Sequence, residues 1–175
     1  MSRANEIKAE LLRREQARRS PDAFCECVMG WSQAPIHKRI QAHFSATRRG
    51  VCEAPRDHGK TGQGVARLAW EIGHNRNLRC KIVCESDSIA VGRAKMLREI
   101  IEKAAYRNVF PAIKRGRSWG EGRFSVERDI TTPDETVQAS GVQSSIIGGR
   151  ADLILFDDVV GPEAIRSSAY RQNTA

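Results

Sequence analysis

Two segments lying far apart in the chain constrain it more than anything else in it. They are Ala54-Pro55-Arg56-Asp57-His58-Gly59-Lys60-Thr61 and Ala151-Asp152-Leu153-Ile154-Leu155-Phe156-Asp157-Asp158. A loop that cradles phosphates needs inward backbone N–H groups, a lysine for the β- and γ-phosphates and a hydroxyl for magnesium. Gly59, Lys60 and Thr61 meet those needs, and a following helix adds its positive end. Ala54 stands where the full pattern has its first glycine. Alanine accepts positive φ poorly, so either the loop entrance is reshaped or the match is accidental.

Context decides between these, because the motif counts only between a strand and a helix. Gly50-Val51-Cys52-Glu53-Ala54 reads as a short strand. Val65, Leu68, Ala69 and Ile72 recur at helical spacing, and Gly73 and Asn75 punctuate the end. On this reading Pro55, Arg56, Asp57, His58, Gly59, Lys60, Thr61 and Gly62 bind a nucleotide.

Leu153-Ile154-Leu155-Phe156 is a continuous apolar run, as expected of a parallel strand covered on both faces. Two carboxylates at its end are costly in a core without a cation. They make sense if Asp157 joins Thr61 in holding magnesium, directly or through water, and Asp158 polarises an attacking water. A solvated turn after a strand is the plainer alternative for the pair.

The charge balance bears on partners. A net charge of +8 and a pI near 9.7 favour a polyanion. The cations are spread over Arg13, Arg14, Arg18 and Arg19, then Arg48 and Arg49, then Lys114, Arg115 and Arg117, with no dedicated nucleic-acid motif. No run reaches the roughly eighteen apolar residues of a membrane span, and the first residues lack the apolar core of a signal peptide. Cys25, Cys27, Cys52, Cys80 and Cys84 show neither metal spacing nor a disulfide framework. They read as reduced packing residues of a cytoplasmic protein.

Helices are expected over 4–19, from Ser20-Pro21-Asp22 to Gly30, and from Pro35 to just before Gly50. A strand follows at 79–85. A long helix capped at Ser86-Asp87-Ser88 then presents Ala90, Ala94, Leu97, Ile101 and Ala105 to a sheet. Trp119, Phe124 and Val126 hint at a hairpin within 111–133, and a further strand is expected at 136–140. The alternation predicts an open α/β sheet, mostly parallel, with ligand at the strand carboxyl ends.

Ala-Pro-Arg-x-His-Gly-Lys-Thr at 54–61, together with Ser145-Ile146-Ile147-Gly148-Gly149-Arg150 leading into the acidic strand, resembles the ATPase domain of large terminase subunits. These are the motors that package DNA in tailed bacteriophages, and the likeness runs from about Phe24 to Gly161. It implies a P-loop NTPase fold of the ASCE type, a three-layer sandwich around a mostly parallel central sheet. Residues 1–50 would be a helical lead-in and 51–175 the ATPase core. The cofactors implied are ATP and Mg2+, with Asp57 standing where many relatives carry glycine.

The resemblance also assigns roles. Gln33 would contact adenine, although a glutamine before a proline-initiated helix also suits a surface turn. Arg56 would sense or stabilise the γ-phosphate, an exposed ion pair being the alternative. Arg150 would be an arginine finger, acting in cis or on a neighbour's ATP, or else a basic residue closing a glycine turn. Asp158 completes the catalytic set. Double-stranded DNA, a portal protein, a small terminase subunit and further copies in a ring are the implied partners, with no membrane. The setting is the host cytoplasm and, transiently, the procapsid portal.

Relatives carry a coupling strand and a nuclease domain after the acidic strand. Residues 159–175 match neither, so the expectation is a partial ATPase core. Two other functions stay open: a helicase-like or recombinase-like ATPase, and a basic DNA-binding protein that keeps ATPase sequence as a relic.

Overall fold

The computed structural model describes residues 3–144 and 149–160. The chain is α/β. Its helices are α1 (Arg3–Arg19), α2 (Pro21–Phe24), α3 (Pro35–Ala46), α4 (Lys60–His74), α5 (Asp87–Glu102) and α6 (Ala104–Val109). Its strands are β1 (Cys80–Cys84), β2 (Arg115–Trp119), β3 (Arg123–Val126), β4 (Val137–Gly141) and β5 (Leu153–Phe156). The described residues form two compact units. One runs up to His74 and includes Glu99–Ile113; the other comprises Asn75–Arg98 and the described residues from Lys114 on.

The first unit is helical. Ser20 caps α2, its side chain accepting from the Ala23 N–H at 3.4 Å, and Pro21 opens the first turn. The chain continues as a π-helical turn, Cys25–Met29, and Gly30 ends it at φ +69°. Phe24, Tyr106 and Phe110 form an aromatic core with ring centroids 5.4 to 6.0 Å apart. Such pairs contribute about 0.5–1.5 kcal/mol each beyond the area they bury. Polar tips in this core reach main-chain carbonyls: Tyr106 Oη donates to Ala69 O at 2.9 Å and Trp70 Nε1 to Ala17 O at 3.0 Å. On α4, Val65, Leu68, Ala69 and Ile72 are buried at the expected spacing, with Gln63, Gly64 and Ala66 beside them.

The second unit is built on a five-stranded sheet of order β2-β3-β4-β1-β5. β1 is buried throughout and pairs in parallel with β4 on one edge and β5 on the other. The strands at 79–85 and 136–140 and the hairpin around Trp119 and Phe124 agree with expectation. The sheet is mixed, however, not mostly parallel, since β2 with β3 and β3 with β4 are antiparallel. The cause is connection length. Gly120-Glu121-Gly122 turns the chain back on itself, and only residues 127–136 link β3 to β4. A parallel crossover needs about a dozen residues or more.

Three local expectations also fail. Residues 51–54 form no strand, and Val51 is 80% exposed. A strand exists only with a ladder partner, and this segment joins none of the five strands. β5 is not covered on both faces, because it ends the described sheet with Ile154 46% and Phe156 62% exposed. The stripe on α5 stops at Ile101. Lys103 takes extended ψ and starts α6, so Ala105 belongs to a different helix.

Glycines of the second unit give a paired test. At Gly141 a Cβ would sit 2.8 Å from Asp87 N and 2.9 Å from Ser86 C, both backbone atoms, whereas Gly92 on α5 has open space. Gly141→Ala should destabilise by about 1–3 kcal/mol, and Gly92→Ala should stabilise by about 0.5–1 kcal/mol. Chemical denaturation reads both; a Gly141→Ala midpoint at or above that of the unmodified chain would contradict this packing.

Candidate nucleotide site

In the first unit the 54–62 segment is a turn that feeds a helix. Asp57 (φ +62°) and Gly59 (φ +68°) are both left-handed. One positive φ thus falls on Asp57, and Asp is among the few side chains that tolerate it. Helix α4 begins at Lys60, and Gln63 N–H closes the first turn on Gly59 O at 2.9 Å. Lys60 Nζ folds back on the loop, donating to Ala54 O and, at 3.1 Å, to Pro55 O. His58 Nδ1 lies 2.8 Å from Arg56 O, and Pro55, Arg56, Asp57, His58 and Gly59 are exposed. Thr61 and Gly62 are half-buried on the first turn of α4.

The stretch 31–37 lies against this turn at both of its ends. A Cβ on Gly62 would meet the Trp31 indole at 3.1 Å, and one on Gly59 would meet His37 Nε2 at 3.4 Å. Between them is Gln33, only 7% exposed, whose Oε1 and Nε2 are both buried without a hydrogen-bond partner among the described residues. The surface-turn alternative for Gln33 is therefore wrong. An unsatisfied buried polar group costs about 1–3 kcal/mol, and such groups in native structures call for a ligand or water. Gln41 and Gln63 form a buried amide pair, Gln41 Nε2 donating to Gln63 Oε1 at 2.8 Å and to Gln63 O at 3.0 Å, with Gln41 Oε1 unpartnered among the described residues. Nothing in their sequence pattern pointed to this pair.

In the second unit the end of β5 carries the carboxylate pair. Asp157 N–H donates to Val83 O at 2.9 Å, which extends the ladder by one residue and buries the side chain beside β1. Its Oδ2 accepts from Arg93 Nε on α5 at 2.8 Å. Arg93 belongs to no motif, and the contact arises only once β5 is in register with β1. Asp158 is exposed and left-handed (φ +48°), with its carbonyl accepting from Glu85 N–H at 3.1 Å. Burial pushes the neighbouring Cys84 thiol up to about 11, with the Asp157 charge adding to the effect and Arg93 opposing it. Asp87 accepts from Gly141 N–H at 2.7 Å and Ser144 Oγ at 2.6 Å, which hold its carboxyl below the usual range.

Arg150 is exposed, and its backbone N–H donates to Asp134 Oδ2 at 3.3 Å. Gly149 before it is left-handed at φ +79°. The rest of the glycine turn, 145–148, lies outside the described residues, as do 161–175.

These donors fit a triphosphate. The α4 terminus and Lys60 offer positive charge, and Gln33 offers one donor and one acceptor. Among the described residues no group of three or more His, Cys, Asp or Glu side chains comes together to hold a metal. Magnesium needs no such group, since it binds through one or two carboxylates with phosphates and water. No protein-family model matches the chain, and no curated protein is significantly similar to it.

The acidic strand is anchored at its start by Arg79, whose Nε and Nη2 reach Asp152 Oδ2 and Oδ1 at 2.9 and 2.6 Å. The Arg79 hydrogen bonds hold the Asp152 carboxyl below the usual aspartate value. A depressed carboxylate stabilises the fold above its unfolded pKa, near 3.9, and that stability is lost as pH falls through the folded value. Asp152→Asn should lower Tm at neutral pH, and the two proteins should converge as the pH drops below about 4. A Tm difference that persists unchanged in acid would show that the ion pair does not anchor this strand.

Proposed function

We propose that this chain is the ATPase domain of a large-terminase-type motor, hydrolysing ATP to drive double-stranded viral DNA into a procapsid. The observation that carries the reading is Gln33. A buried, unpartnered amide lies in a stretch whose two ends touch the glycines of a Gly-Lys-Thr turn. An adenine edge, with a donor and an acceptor side by side, is a ligand that would satisfy it. The turn itself supports phosphate binding, because left-handed residues deliver the chain into the N-terminus of a 15-residue helix.

On this reading Lys60 takes the β- and γ-phosphates, and Thr61 and Asp157 hold Mg2+. Asp158 orients the attacking water. Arg56 and Arg150 stabilise transferring charge, Arg150 in cis or on a neighbouring copy. Arg93 neutralises the Asp157 carboxylate and would yield it to the divalent ion. The mostly parallel ASCE sandwich of relatives is not reproduced in the described sheet, so the P-loop assignment rests on the turn and Gln33. The partners in this reading are duplex DNA, a portal protein, a small terminase subunit and further copies in a ring, within the host cytoplasm. No described helix is long and apolar enough to cross a membrane.

A second reading, a basic DNA-binding protein retaining a relic of the ATPase, is favoured by two observations. Residues 51–54 form no strand, and Lys60 is engaged with the loop's own carbonyls.

Titration calorimetry with ATP, with and without Mg2+, separates the two. The motor reading expects magnesium-dependent binding, a loss of affinity of about a hundredfold or more in Lys60→Ala, and a reduced preference for ATP over GTP in Gln33→Ala. Unchanged ATP affinity in Lys60→Ala, or no binding by the unmodified chain, would leave the relic.

A further inference from the structure

We infer that the β2–β3 hairpin is a docking surface for the phosphate backbone of duplex DNA, engaged without regard to base sequence. Lys114, Arg115, Arg117 and Arg123 are all exposed on or beside these two strands. Among the described residues the ion pairs found include none of the four. The acid within the hairpin, Glu121, lies 3.5 Å from Lys95 on α5. Of the other nearby acids, Asp129 pairs with Arg76, Asp134 with Arg79, and Glu135 accepts from Ser118 Oγ at 2.7 Å; Glu127, whose N–H donates to Lys114 O at 2.9 Å, offsets one cation of the four. Even with Glu127 counted, the hairpin carries a local excess of cation that no ion pair among the described residues neutralises. β2 ends the described sheet, so its outer edge has no neighbouring strand there.

The aromatic content selects the form of nucleic acid. Single-strand binding relies on open aromatic faces on which bases stack. Trp119 is half-buried, its ring lies under the Arg115 guanidinium at 5.5 Å, and it packs on Phe124 at 5.0 Å. Its carbonyl also receives Arg98 Nη1 at 3.5 Å. The indole therefore braces Arg115 and offers no platform for a base. What remains outward is a set of guanidinium and ammonium groups, and guanidinium matches phosphate oxygens two at a time. Contacts of that kind position a duplex and carry no sequence information. This inference deepens the motor reading and rests on it for the choice of DNA among polyanions.

The test is fluorescence anisotropy of the full chain with a labelled duplex of arbitrary sequence, between about 50 and 200 mM salt. Each phosphate neutralised contributes about 0.9 to the slope of log K against log salt. Lys114→Gln with Arg117→Gln should make the slope shallower by about 1.8, and all four changed to Gln by about 3.6. The double variant spares Arg115 and its stack on Trp119, so it reads the charge even if the quadruple variant misfolds. Arg117→Lys with Arg123→Lys should keep the slope. Slopes unchanged in the glutamine variants would overturn the surface, and tighter binding of the matching single strand would overturn the choice of duplex. Magnesium-ATP binding on the same preparations separates the two readings. Altered slopes with nucleotide affinity intact support the hairpin within the motor. Altered slopes in a chain that never binds ATP leave the surface standing and overturn the motor.

Discussion

The second unit depends on the ladder that β1 makes with strands on both of its edges. Because β4 and β5 both run parallel to it, the carboxyl ends of three strands lie side by side, at Cys84, Gly141 and Phe156. The residues just beyond those ends gather there as a consequence. Asp87 caps the Gly141 end, and Asp157 continues the ladder onto Val83 and meets Arg93. β5 itself ends at Phe156, before the two carboxylates. What it supplies is register, and a slip of one residue would turn every β5 side chain to the opposite face.

In the first unit the governing constraint is backbone conformation. The turn before α4 needs two residues at positive φ, and the chain places Asp57 and Gly59 there while Ala54 stays out of that region. The departure from pattern at position 54 thus meets no steric objection, since the left-handed geometry has moved down the loop. The same turn aims Lys60 at the carbonyls of Ala54 and Pro55. A lysine held by neutral carbonyls is positioned but not neutralised, so its charge stays available to an anion.

The elements read most readily from the sequence were those whose signal is local. Ser20-Pro21 starts a helix by capping chemistry, and Val65, Leu68, Ala69 and Ile72 mark a helix face by spacing alone. Trp119, Phe124 and Val126 within a glycine-rich stretch mark a hairpin, which forms as β2 and β3. Failures came where pairing decides. Residues 50–54 have the composition of a strand, yet no ladder partner takes them. The apolar run of β5 implied burial on both faces, but Ile154 and Phe156, which share one face of the strand, are exposed, so that face is not covered. Nothing in the sequence marks Arg93 as the partner of Asp157, because that contact depends on how α5 lies beside the end of β5.

Gln33 shows most clearly how a site differs from a core. Burying both polar atoms of an amide without partners works against folding by about 1–3 kcal/mol for each group left unsatisfied. A well-packed apolar residue would be the more stable choice if the position served only the fold. Gln41 is satisfied at one end: its Nε2 donates to Gln63, while its Oε1, like both polar atoms of Gln33, is buried without a hydrogen-bond partner among the described residues. At Gln33 the chain leaves donor and acceptor open, between two side chains that rest on the Gly-Lys-Thr turn. The stability given up there is recovered when an ordered water or a ligand with a complementary donor and acceptor occupies the position, and under the proposed function an adenine edge is that ligand.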